Sequence, residues 1–197
     1  MAAKKPVFYS LVDTAAVTSD VYEKLVSLIK ESFPDKKCEF LGDPLAGWSD
    51  VQIGKRRKRD FMPAARLLFR WGLFWDFLDK VVRPAFVRKP DIIIARQFGF
   101  DVYSGAHWHN DCGNTSGLHE FLVAYDLKVL EFCPPTYVFT EDVSPATKRD
   151  IGRYFSVKGQ QMPRYLVPTL TVPEKARAIL HMIRYDLKVQ EEQSATA

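Results

Sequence analysis

The chain has 197 residues, 47% of them hydrophobic and 13% aromatic, which suffices for one sizeable core and predicts a single domain over residues 1–188. Its net charge is +4, but Lys55, Arg56, Arg57, Lys58 and Arg59 ("KRRKR") supply five positive charges in one stretch, leaving about −1 elsewhere and excluding a generally basic surface. Cys38, Cys112 and Cys133 are too far apart for a disulfide framework or a paired-cysteine zinc site, and they point to a reducing, cytoplasmic setting.

In chain order, Val7 to Val12 is a short aromatic and β-branched run that reads as a strand. Thr18 or Ser19 caps a helix reaching to about Phe33, where Pro34 stops it. "KCEFL" (Lys37 to Leu41) is a second strand, followed by a long loop from Gly42 to Pro63, a length more common in functional than in structural connections. A helix over Ala64 to Val87 places Leu67, Trp71, Phe74, Trp75, Leu78 and Val82 on one apolar face. Its interrupting charges, Arg66, Arg70, Asp76, Asp79 and Lys80, exclude a membrane span.

"PDIIIAR" (Pro90 to Arg96) is the continuous apolar strand expected when both faces of a parallel sheet are covered. A helix is predicted from Ser116 to Leu130 and a strand over Pro135 to Thr140. Ser144 then caps a further helical turn, with Pro145 at its first position. "RYLVPTLT" (Arg164 to Thr171) supplies a last strand, at an edge because of Pro168. "VPEKARAILHMIRYDL" is an amphipathic helix, and residues 189–197 read as a disordered tail. Five strands alternating with helices predict a three-layer α/β/α sandwich on a parallel sheet, with ligands at the carboxyl ends of the strands.

Within that order, "VDTAAVTS", "GDP" and "LLFRWGLFWDFLDKVVRPAFVRKPDIIIARQFGFDVYSGA" (Leu67 to Ala106) resemble the thymidylate-kinase-like branch of the P-loop nucleoside and nucleotide kinases. The resemblance implies a P-loop kinase fold, ATP and magnesium as cofactors, a nucleotide partner and a homodimer packed through helix 64–87. It sets Asp13 at an acidic position and Thr14, Thr18 and Ser19 at phosphate-binding ones, with Thr18 as a magnesium hydroxyl. Asp43 falls on the family's Glu-Pro step, and Phe69 on its base-stacking phenylalanine. Arg70 is displaced from the base-reading arginine, while Tyr103 and Ser104 approximate the pyrimidine-reading pair. Arg96 matches the phosphate-gripping arginine. Lys148, Arg149, Arg153, Lys158 and Arg164 occupy the lid region, with Arg153 assigned to catalysis.

The departures concentrate at the phosphate loop. Thr14 and Ala16 stand where glycines are expected, Val17 replaces the lysine, and Ala95 replaces the aspartate before Arg96. Loss of the lysine removes the cation that stabilises the migrating charge, which costs orders of magnitude in rate. The leading reading is therefore a nucleotide-binding relative with impaired or lost phosphoryl transfer, a pseudoenzyme with a binding or assembly role. An active pyrimidine (deoxy)nucleotide kinase, acting on modified pyrimidines in DNA or on a free nucleotide with other cations replacing the lysine, is the first alternative. A nucleic-acid-associated protein acting through residues 55–59 is the second. "HWHNDC" contains His107, His109, Asp111 and Cys112, but a structural zinc site takes two separated ligand pairs, so a polar surface loop is expected there.

Overall fold

The computed structural model describes residues 5–12, 19–42, 72–96, 98, 134–141, 143–145, 148–149 and 161–195. Five strands, β1 (Val7–Val12), β2 (Cys38–Leu41), β3 (Ile92–Arg96), β4 (Thr136–Phe139) and β5 (Arg164–Tyr165), form one sheet in the order β2-β3-β1-β4-β5, every pairing parallel. All six side chains of β1 are buried, and Ile92 to Ala95 are wholly inaccessible. Such unbroken apolar runs are required of central strands covered on both sides. β5 pairs with β4 alone among the described residues, the edge position expected of it, but it ends at Tyr165 instead of running to Thr171, and Pro168 lies in the turn that follows.

Alternation along each strand sorts the core. Val7, Tyr9 and Leu11 of β1, with Ile92 and Ile94 of β3, cluster with α1 (Ser19–Ser32) and with the last helix, Val172–Ala195. Phe8, Ile93 and Ala95 instead cluster with Phe74, Leu78, Val82 and Ala85. Thus Phe74, Leu78 and Val82 lie on the face that the sequence assigns to them, with Trp75 half-buried beside it; Leu67 and Trp71 are outside the described residues.

The helix carrying that face is not uniformly α. Residues 72–77 are α-helical, Leu78–Val82 form a π turn in which the Arg83 N–H donates to the Leu78 carbonyl, and α2 (Arg83–Val87) follows. Pro84 explains the departure from the expected regular helix. It has no N–H to donate and its ring crowds the carbonyl one turn back, so the ladder widens before it. Outward, the same helix carries the ion pairs Asp76–Lys80 and Asp79–Arg83.

The helix ends with Lys89 in the left-handed region, φ 52°, its N–H donating to the Phe86 carbonyl at 3.0 Å. A side chain at such a position carries a steric penalty that glycine lacks. Lys89→Gly is therefore expected to stabilise the fold by about 1 kcal/mol, measurable by urea denaturation; no gain would mean that the lysine compensates for its own strain.

The last helix, α3 (Val172–Ala195), opens with a capping box. Glu174 Oε2 accepts from both the Thr171 N–H (2.8 Å) and the Thr171 hydroxyl (2.7 Å), and this holds the Glu174 carboxyl below its ordinary range. The helix continues to Ala195, through most of the segment expected to be a disordered tail. Side-chain contacts extend it: Lys36 pairs with Glu191 at 2.8 Å, Lys188 with Glu192, and the Ser194 hydroxyl donates to the Gln190 carbonyl. Terminal position alone suggests a tail, whereas a long-range ion pair and local helical contacts hold these residues in register.

Candidate functional site

The chain leaves β1 toward β2 on one side and leaves β4 toward β5 on the other, so the winding reverses between the adjacent strands β1 and β4, and parallel sheets bind ligands outside the carboxyl ends of the strands at such a reversal. Residues 13–18 connect Val12, the end of β1, to Ser19, the start of α1, so the N-terminus of α1 belongs to this edge.

Arg96 ends β3 at the same edge, paired in register with Leu11. By the alternation of β3 it shares the α1 side of the sheet with Ile92 and Ile94. Its Nε is buried and has no hydrogen-bond partner among the described residues. Tyr22, in the first turns of α1, senses Arg96 electrostatically. Burial pushes the Tyr22 phenol up to about 12, the charge of Glu23 adds to the rise, and Arg96 opposes it. The Tyr22 hydroxyl donates to the carbonyl of Leu41, the last residue of β2, at 3.1 Å, tying α1 to a third strand end.

Two buried hydroxyls fix the strand exits, and neither stood out in the sequence. Thr140 closes β1, its N–H donating to the Val12 carbonyl at 3.1 Å and its hydroxyl to the same oxygen at 3.4 Å. Ser10, wholly buried in β1, accepts the N–H of Phe98 at 3.0 Å. The only signal for Ser10 was a hydroxyl inside the apolar run "VFYSLV".

Beyond β4, Phe139 stacks on Tyr165, ring centroids 5.0 Å apart, and Lys148 Nζ lies 5.3 Å from the Tyr165 centroid. The Lys148 N–H donates to the Ser144 carbonyl at 2.9 Å, so the helical turn predicted from Ser144 forms at this position. Arg149 is exposed.

Arg164 departs from its expected place in a lid. It is the first residue of β5 and turns to the α3 side, where Nη2 pairs with Asp186 Oδ2 at 3.2 Å and Nη1 donates to the Tyr9 hydroxyl at 2.9 Å. The Tyr9 hydroxyl donates in turn to Asp186. Burial, then the neighbouring Asp186 carboxylate, raises the Tyr9 phenol far above its ordinary range. These three residues join β1, β5 and α3 rather than facing a ligand.

Of the residues that the sequence nominates, Ser19, Arg96, Lys148, Arg149 and Arg164 are described, and the first two share the carboxyl edge with the N-terminus of α1. Asp13, Thr14, Thr18, Asp43, Lys55 to Arg59, Phe69, Arg70, Tyr103, Ser104 and Arg153 lie outside the described residues, as do His107 to Cys112 and the helix expected over 116–130. Among the described residues no group of three or more His, Cys, Asp or Glu side chains is arranged to hold a metal ion. No described helix is long and apolar enough to cross a membrane.

No protein-family model matches the chain, and comparison with curated proteins gives no match.

Proposed function

We propose that this chain is a divergent nucleotide-binding domain of the P-loop kinase type, a three-layer α/β/α sandwich in which phosphoryl transfer is impaired and binding is retained. The observation that carries the reading is Arg96. It stands at the carboxyl end of β3, on the α1 side, with a buried Nε that has no acceptor among the described residues. A guanidinium donor desolvated without a partner costs free energy, and a phosphate oxygen is the acceptor its fork geometry fits best. The clustering of one sheet face with α1 and α3, and of the other with residues 74–85, supports the three-layer arrangement. Central β1 feeding a helix N-terminus through residues 13–18 supports a phosphate-binding role for that connection.

Impairment follows from Val17 in place of a lysine: the helix N-terminus can hold a phosphate, while the mobile cation that follows the transferred charge is missing. Active pyrimidine nucleotide phosphorylation is the second reading, favoured by Lys148 standing beside Tyr165 at the neighbouring end of the sheet.

Calorimetric titration with ATP, dTMP and dTTP, each with and without magnesium, tests the proposal. Binding of ATP is expected, and Arg96→Ala should weaken it roughly 10- to 100-fold, the range for one lost charge-assisted interaction. Equal affinity in wild type and variant, or no nucleotide binding at all, rejects the reading. Transfer of the γ-phosphoryl group to a pyrimidine nucleotide would select the active-kinase reading instead.

A further inference from the structure

We infer that Ser10 is a positioning residue for Arg96: its hydroxyl, buried in the central strand, holds the exit of β3 so that the arginine stays at the anion-binding edge. This rests on the nucleotide-binding reading above. β3 is paired only as far as Arg96, whose Cα partner is Leu11, and the chain must then turn off the sheet. Two residues later Phe98 is 2% exposed, on the face opposite α1. Its N–H donates to Ser10 Oγ at 3.0 Å. Its ring meets Phe8 at 5.0 Å and Phe74 at 5.4 Å, both edge-on.

Arg96 is therefore the last paired residue before a clamp that has one polar and two aromatic jaws. The ladder to Leu11 fixes its backbone on one side and Phe98 fixes it on the other. The aromatic jaws give burial without direction, because ring contacts tolerate sliding. Among the described residues, the hydrogen bond from the Phe98 N–H is the directional contact that sets the register of the exit, and it is of ordinary length and buried. Ser10 itself sits opposite Ala95, one residue before Arg96, so its hydroxyl spans the corner at which the chain departs. A serine in an otherwise apolar, wholly buried strand is costly to place there unless its hydroxyl is used.

A double-mutant cycle separates positioning from stability. Binding of MgATP is measured by calorimetry, and thermal midpoints are recorded, for wild type, Ser10→Ala, Arg96→Ala and the double variant. Thr136→Val serves as a control, because it removes another hydrogen bond on the sheet, to Gln161, away from the carboxyl edge. Ser10→Ala is expected to weaken MgATP roughly three- to tenfold, as one lost hydrogen bond would. That loss should vanish in the Arg96→Ala background, while Thr136→Val lowers the midpoint without changing affinity. Rescue of affinity by Ser10→Thr, which keeps the hydroxyl, supports the same assignment.

If Arg96→Ala weakens binding and Ser10→Ala does not, or if the Ser10 loss persists undiminished without Arg96, the positioning role is overturned while the nucleotide reading stands. If Arg96→Ala binds as wild type does, or if wild type does not bind MgATP, both fall.

Discussion

Ile183→Ala is expected to remove about 3 to 4 kcal/mol of folding stability, a large share of the roughly 5 to 15 kcal/mol that holds a domain together. Ile183 is wholly inaccessible and lies on the stripe of α3 formed by Ala176, Ile179, Leu180 and Leu187. That stripe packs along α1, through Leu25 and Ile29, and onto β1 and β3. Both helices and the sheet are committed to this seam, so the space left by the missing carbons has few ways to collapse. Tyr185, two residues on, points outward and is 67% exposed; its replacement by alanine should stay within about 0.5 kcal/mol. Urea denaturation of the two variants checks the assignment. A loss below about 1 kcal/mol for Ile183→Ala would mean that α3 does not cover the sheet as described.

Most of the framework was legible because its residues carry one message. "VFYSLV" and "IIIAR" have no reading except buried parallel strands, and Pro168 and Ser144–Pro145 mark an edge and a helix start through backbone chemistry alone. The failures arise where a residue's meaning depends on something distant. Pro84 near a helix end gave no sign that the ladder would widen into a π turn ahead of it. Residues 189–195 read as a tail, because Lys36, which pairs with Glu191, is 155 positions away. Ser10 and Thr140 carry no distinguishing mark in the sequence, since their function lies in which N–H or carbonyl the fold brings to them. At the site, Arg96 is located by the resemblance and by its strand together, whereas the altered phosphate-loop residues Asp13 to Thr18 lie outside the described residues.

Arg164 is the clearest case of a side chain whose neighbours in sequence mislead, and it supports a prediction that separates two roles. In sequence it closes a basic series with Lys148, Arg149, Arg153 and Lys158, and that series invites a phosphate-covering function. In the fold its guanidinium is three-quarters buried against Asp186 and the Tyr9 hydroxyl. Asp186→Ala would leave the Arg164 guanidinium without its counter-charge and the inaccessible Tyr9 O–H without its acceptor, with only the bond between the two remaining. The expected loss is about 2 to 3 kcal/mol: above an exposed pair, because these groups are mostly desolvated, and below a wholly buried one, because Arg164 can still reach solvent.

Tyr9→Phe removes only the hydroxyl and leaves the ion pair, so it should cost less. The double variant should fall short of the sum of the two, since both changes delete the same contact. Arg164→Ala should match Asp186→Ala in stability while leaving nucleotide affinity unchanged. A fall in MgATP affinity without a fall in thermal midpoint would restore Arg164 to the ligand and break the link among β1, β5 and α3. The expected opposite pattern would leave Arg96 as the described strand-end cation on which nucleotide affinity depends. Under the proposed reading, Arg96 and the N-terminus of α1 would share the work of holding a phosphate group there, and the loss of MgATP affinity in Arg96→Ala but not in Arg164→Ala is the pattern that reading requires.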